Sequence, residues 1–105
     1  MSSNIACYYV YGVCHAQDFG LFIDYVAHDL NDHRPVLLQR LRQARDPALS
    51  GWLAREPVRE GDVFEIECVR TQDDAREAVA FWRAYFRALG ETIVEGAHLS
   101  DPLPV

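Results

Sequence analysis

Residues 6–14 read Ala-Cys-Tyr-Tyr-Val-Tyr-Gly-Val-Cys, with aromatic and β-branched side chains on both alternating faces. Such residues favour extended backbone. A strand that is apolar on both faces has to be covered on both faces. It is therefore expected to be a central or doubly covered strand of a small sheet with helices packed on it. The nearly unbroken apolar run that contains it, 5–14, is about ten residues long, whereas a membrane-crossing helix needs about twenty. No membrane span is expected. No basic side chain stands in the Met-Ser-Ser-Asn that precedes the run, so no secretory signal is predicted and the expected location is the cytoplasm.

The remaining elements follow from period and punctuation. Residues 15–20 are polar and end in Asp18-Phe19-Gly20, which suits a hairpin turn into a second strand over 21–26. Residues 27–34 are polar and read as a loop, with Pro35 at the first position of a helix over 36–44. Val36, Leu37, Leu41 and Ala44 would share its apolar side. Asp46 and Pro47 can start a second short helix that carries Leu49, Trp52 and Leu53. After a turn at Glu60-Gly61-Asp62, residues 63–70 alternate: Phe64, Ile66 and Cys68 on one side, Glu65 and Glu67 on the other. The last helix is the clearest element. Thr71 is a good N-cap, Asp73 and Asp74 complement the positive helix end, and Gly90 suits the C-terminal cap. Between them Ala75, Ala78, Val79, Trp82, Tyr85, Phe86 and Leu89 form an apolar stripe.

These elements predict an α+β fold: a small three-stranded antiparallel sheet flanked by helices, in the order β-β-α-α-β-α. The 105 residues, half of them hydrophobic and a quarter charged, suit one domain spanning 1–105. Its core would run over about 6–90, with 91–105 as a C-terminal extension. Cys7, Cys14 and Cys68 are odd in number and lack metal-knuckle or redox-motif spacing, so reduced, buried thiols are expected. The net charge of −6 repels phosphate backbones and disfavours a generic nucleic-acid binder.

Two tripeptides, Tyr9-Val10-Tyr11 and Phe22-Ile23-Asp24, are separated by ten residues. A late segment over 77–86 is rich in Ala and aromatics and follows Asp73-Asp74-Ala75. Together these resemble the GIY-YIG nuclease superfamily over roughly residues 7–90. The resemblance implies a three-stranded antiparallel sheet flanked by helices. It also implies a site in which tyrosines and an arginine surround the scissile phosphate and a helix glutamate holds one divalent metal. Carried over by position, Tyr11 matches the first tyrosine and Arg34 the arginine. Phe22 stands where the second tyrosine belongs, Asp24 where the motif has glycine, and Val79 where the metal-binding glutamate belongs. Valine cannot ligate Mg²⁺, which takes oxygen donors. Glu77 lies about 200° around the helix from that position. The resemblance thus implies a scaffold whose site is closed by hydrocarbon.

Other clusters carry weaker signals. Asp24, His28, Asp29, Asp32 and His33 fall within ten residues. They fit a divalent-metal site or a solvated loop with helix-capping acids; the second is the expectation, so no metal site is assigned. Arg34, Arg40, Arg42 and Arg45 come without an intervening acid, as a solvated helix face or a contact for phosphate or an acidic partner. Glu65 and Glu67, within a wider acidic stretch, could dock on a basic protein surface.

Two functions are thus carried forward. The first is a catalytically inactive binding protein, an inhibitor or regulator, that contacts another protein through Glu65, Glu67, Arg40 and Arg42 and needs no cofactor; a homodimer is compatible with it. The second is a divergent metal-dependent endonuclease acting on DNA or RNA, using Tyr11, Asp24 and Arg34 with Mg²⁺ or Mn²⁺.

Overall fold

A computed structural model describes residues 7–14, 20–27, 30–43, 51–52, 59 and 62–94, with backbone alone at 31–33. The chain runs through strands β1 (Tyr8–Cys14) and β2 (Gly20–Val26), helix α1 (Leu30–Arg42), strand β3 (Val63–Val69) and helix α2 (Gln72–Ala88) to the short strand β4 (Thr92–Ile93). The sheet order is β3-β1-β2-β4. β1 is central and antiparallel to both β2 and β3, while β4 runs parallel to β2. The hairpin turn expected near residue 18, and all of the expected helix over 47–53 except Gly51 and Trp52, lie outside the described residues.

Both faces of the sheet are covered, as the apolar first strand requires. On one face Tyr11 and Val13 of β1 and Phe22 and Val26 of β2 meet Leu30, Leu37, Leu38 and Leu41 of α1, with Trp52 and Val63. On the other, Val10, Leu21, Ile23 and Tyr25 meet Ala75, Ala78 and Val79 of α2, with Trp82 and Phe86 half-buried beside them. The register explains this division. Tyr11 faces Asp24 and Val13 faces Phe22 across the hairpin, and directly paired residues project to one side.

Several expectations are corrected. The sheet has four strands and is mixed, not three and antiparallel, because the chain turns back after α2 and pairs beside β2. Gly90 makes the reversal at φ +97°, a conformation that glycine adopts without steric cost. Glu91 N–H donates to the Phe86 carbonyl and Gly90 N–H to the Arg87 carbonyl, closing the helix end. Val94 N–H then donates to the Leu21 carbonyl at 2.9 Å.

Helix α1 begins at Leu30, five residues before Pro35, which is inside it. Leu30 is buried against the sheet in the first turn, and Pro35 leaves one backbone bond of the helix unmade. Val36 is exposed and Leu38 takes its place in the core. At the foot of β3, Asp62 N–H donates to the Arg59 carbonyl and Arg59 N–H to the Asp62 carboxylate. The Thr71 cap is formed as expected: its hydroxyl accepts from Asp74 N–H at 3.0 Å.

Candidate functional site

The expected site residues start on β1 and β2. Tyr11 and Asp24 are paired directly across the hairpin. Both side chains are buried, at 0% and 1% exposure. The lid over them is α1, whose Leu37, Leu38 and Leu41 fill the same layer. The Tyr11 ring meets Phe22 edge-on at 6.4 Å between centroids. Among the described residues the Tyr11 hydroxyl has no hydrogen-bond partner of good geometry, although the Asp24 carboxylate is close enough to act on its ionisation. Burial, and next the Asp24 charge, hold the Tyr11 phenol well above its ordinary pKa of 10.0. The guanidinium groups of Arg40 and Arg83 pull the other way. A phenol kept neutral in this way is a poor base at neutral pH.

Arg34 is on α1, but its Nε donates to the Val63 carbonyl at 3.2 Å. That bond ties α1 to the start of β3. Arg40, expected on a solvated face, is half-buried near Tyr11, because the last turns of α1 lie over the sheet. Arg42 is exposed.

Val79 is buried as expected but does not close the Tyr11 site. It packs with Val10, Leu21 and Ile23 on the α2 face, and the sheet separates it from Tyr11. The structure therefore brings Tyr11, Asp24 and Arg40 together and leaves position 79 on the far side. The hydrocarbon over Tyr11 comes from the leucines of α1. Among the described residues no three His, Cys, Asp or Glu side chains are gathered as a metal site. His28 and Asp29, and the side chains of Asp32 and His33, lie outside the described residues.

The acidic strand is also rearranged. β3 carries a bulge: Val10 pairs with Glu67 and Tyr11 with Glu65, so Ile66 is the extra residue. One added residue reverses the alternation that follows it. Glu65 thus points to the α1 side and is exposed, while Glu67 points to the α2 side, where its Oε2 accepts from Trp82 Nε1 at 2.7 Å. The two glutamates do not share a side, as strict alternation would require. The bulge also takes Cys68 away from Phe64 and Ile66. Cys68 and Cys14 are exposed and Cys7 is half-buried, which corrects the expectation of buried thiols. Cys68 lies on an edge strand, and Cys14 at a strand end.

Two features escaped the sequence reading. Arg83 Nη2 donates to the Ile23 carbonyl at 2.9 Å, anchoring α2 on β2. Phe81, Tyr85 and Leu89 stand out from α2 at 58%, 45% and 63% exposure. Their spacing of four makes a continuous ridge along the helix. The Phe81 and Tyr85 rings are stacked at 6.2 Å. The apolar stripe of the sequence includes Tyr85 and Leu89, but a helical pattern does not reveal how wide the covered arc is. The acids Asp74 and Glu77 lie at the N-terminal end of the same ridge and are exposed.

Comparison with protein-family models, with curated proteins and with solved structures finds no match. Among the described residues no helix is long and apolar enough to cross a membrane.

Proposed function

We propose that this chain is a binding protein on a degenerate GIY-YIG-like scaffold, acting by contact with another protein as an inhibitor or regulator. The observation that carries the reading is the exposed ridge of Phe81, Tyr85 and Leu89 on α2. A contiguous apolar surface with a polar rim is characteristic of interaction sites, and aromatic side chains dominate binding energy in such patches. Asp74 and Glu77 at the end of the ridge, and the net charge of −6, favour a partner with basic residues around an apolar anchor. Three long antiparallel strands with helices on both faces are compatible with the scaffold. The closed state of Tyr11 and Asp24 under α1 weighs against cleavage chemistry on it. Of the residues expected to bind, Glu65 and Arg42 are exposed but belong to the α1 side of the sheet, away from the ridge, whereas Glu67 is engaged by Trp82 and Arg40 lies half-buried beside Tyr11.

One observation favours the divergent nuclease: Asp24 is beside Tyr11, so a carboxylate and a phenol share one neighbourhood. That reading needs α1 to lift before a phosphate could reach them. A single set of proteins separates the two. Wild type and Phe81→Arg/Tyr85→Arg are compared as baits, and both are incubated with DNA and RNA in Mg²⁺ or Mn²⁺. The binding reading expects one protein enriched by wild type, lost with the ridge variant, and no cleavage. Metal-dependent cleavage abolished by Asp24→Ala would establish the nuclease instead. Equal recovery by wild type and ridge variant would reject the ridge as the interface.

A further inference from the structure

The layer between the sheet and α2 is closed on one side and open on the other. Toward β2, Leu21, Ile23 and Val79 are buried. Toward β3, Phe64, Ile66, Trp82 and Phe86 of the same layer are half-buried, and Phe81 and Tyr85 stand exposed beyond them. Helix geometry fixes that direction. Trp82 reaches β3 through Glu67, and Arg83 reaches β2 through the Ile23 carbonyl. Phe81 lies about 100° from Trp82, on the flank away from Arg83. The ridge therefore leans toward β3. That strand is outermost in the sheet, and among the described residues no backbone group pairs with its outer edge. Such an edge is a template for another strand.

We propose that a second copy of this chain covers this surface, its β3 pairing antiparallel to the first about a two-fold axis at Phe64. The inference rests on reading the ridge as an interface and names what occupies it. Position is the first argument. Helix α2 starts where β3 ends and leads to β4, beside the start of β2, so it runs back along the sheet. From Thr71, ten helical residues rise about 15 Å to Phe81. From Val69, five strand residues span about 17 Å back to Phe64. Phe81 thus stands level with Phe64, and the two-fold sets ridge toward ridge above a pair of Phe64 rings. Charge is the second argument. An axis at Glu65, Ile66 or Glu67 would oppose glutamate to glutamate, which is destabilising. With the axis at Phe64, Glu65 lies opposite the second copy's Val63, whose carbonyl accepts from that copy's Arg34. An acid then meets a base on the α1 side, twice by symmetry. This ladder also ends at Ile66, where the bulge breaks the alternation. Area sets the strength. The exposed parts of Phe81 and Tyr85 come to roughly 100 Å² each, against about 800 Å² per partner in a stable interface. The ridge needs the strand edge and the half-buried layer beside it, and the expected affinity is micromolar. A different protein then reaches the ridge only when the copies part.

The test is sedimentation velocity on the full chain from about 1 to about 500 µM, a range that brackets a micromolar Kd. The mass should rise toward twice 12.0 kDa. Phe81→Arg/Tyr85→Arg should weaken the dimer by roughly a hundredfold or more. Glu65→Lys, at an exposed position, should weaken it by about tenfold. Far-UV circular dichroism should be unchanged in both. Amide exchange over 62–66 should slow as the wild-type dimer forms and should not slow in the ridge variant. If the ridge variant fails to fold, Glu65→Lys and the wild-type exchange decide. A monomer throughout the range would overturn the pairing, while capture of a different protein that the ridge variant loses would still sustain the ridge as an interface. A dimer indifferent to the ridge variant would overturn both. A dimer lost with the ridge variant but with exchange over 62–66 unchanged would overturn the strand pairing alone.

Discussion

Replacing Tyr11 with phenylalanine removes one oxygen from the most enclosed polar group of the sheet. The ring and its edge contact with Phe22 remain, so the packing change is small. The hydroxyl is fully buried and, among the described residues, has no partner of good geometry. Leaving such a group unpaired costs about 1–3 kcal/mol. Tyr11→Phe should therefore stabilise the fold at pH 7 by about 1 kcal/mol, a rise in Tm of about 4 °C.

The same residue shapes the alkaline limb. Burial, and then the Asp24 charge, raise the Tyr11 pKa in the folded chain well above 10.0, while the unfolded chain releases that proton near the ordinary value. The folded state then holds a proton that the unfolded state has lost. Wild-type stability from this group is full below about pH 10 and falls above it by about 1.4 kcal/mol per pH unit, until the folded pKa is reached. Urea unfolding followed by circular dichroism from pH 7 to 11 measures both effects, and Tyr11→Phe should have the shallower alkaline slope. A loss of more than about 1 kcal/mol at pH 7 would mean that the hydroxyl supports the Asp24 carboxylate, and the reasoning would fail. An unchanged slope above pH 10 would refute the ionisation argument separately.

Other substitutions test the packing. A Cβ on Gly20 would lie 2.8 Å from Cε2 of the buried Trp52 indole, so Gly20→Ala should cost about 1–3 kcal/mol by overpacking; a Cβ on Gly51 meets nothing within 4 Å among the described residues, and Gly51→Ala should be tolerated without loss in the same denaturation assay. Thr71→Ala removes the hydroxyl that accepts from Asp74 N–H and should lower chemical-denaturation stability by about 1 kcal/mol. Trp82→Phe deletes the donor to Glu67 and should cost about 1–2 kcal/mol at neutral pH, because the acceptor is charged. Phe81→Arg alters an exposed side chain and should leave stability within about 0.5 kcal/mol, as read by Tm. A large loss there would show the ridge to be part of the core.

Local chemistry alone was enough to read the first three strands and the last helix, but not the start of α1 or the strand β4. The doubly apolar Tyr8–Cys14 strand demands two covering layers, and the Thr71 hydroxyl and Gly90 mark the ends of α2, because caps and periods are short-range properties. Tertiary contacts decided the rest. Leu30 is helical because the sheet has room to bury it, against the polar pattern around it. The bulge at Ile66 parts Glu65 from Glu67 and sends one to each face, and no pattern within residues 63–70 announces it. Tyr11 and Asp24 were legible as candidates, but their burial under α1 and the sheet between Tyr11 and Val79 were not. Which face a side chain occupies depends on strand pairing between distant segments.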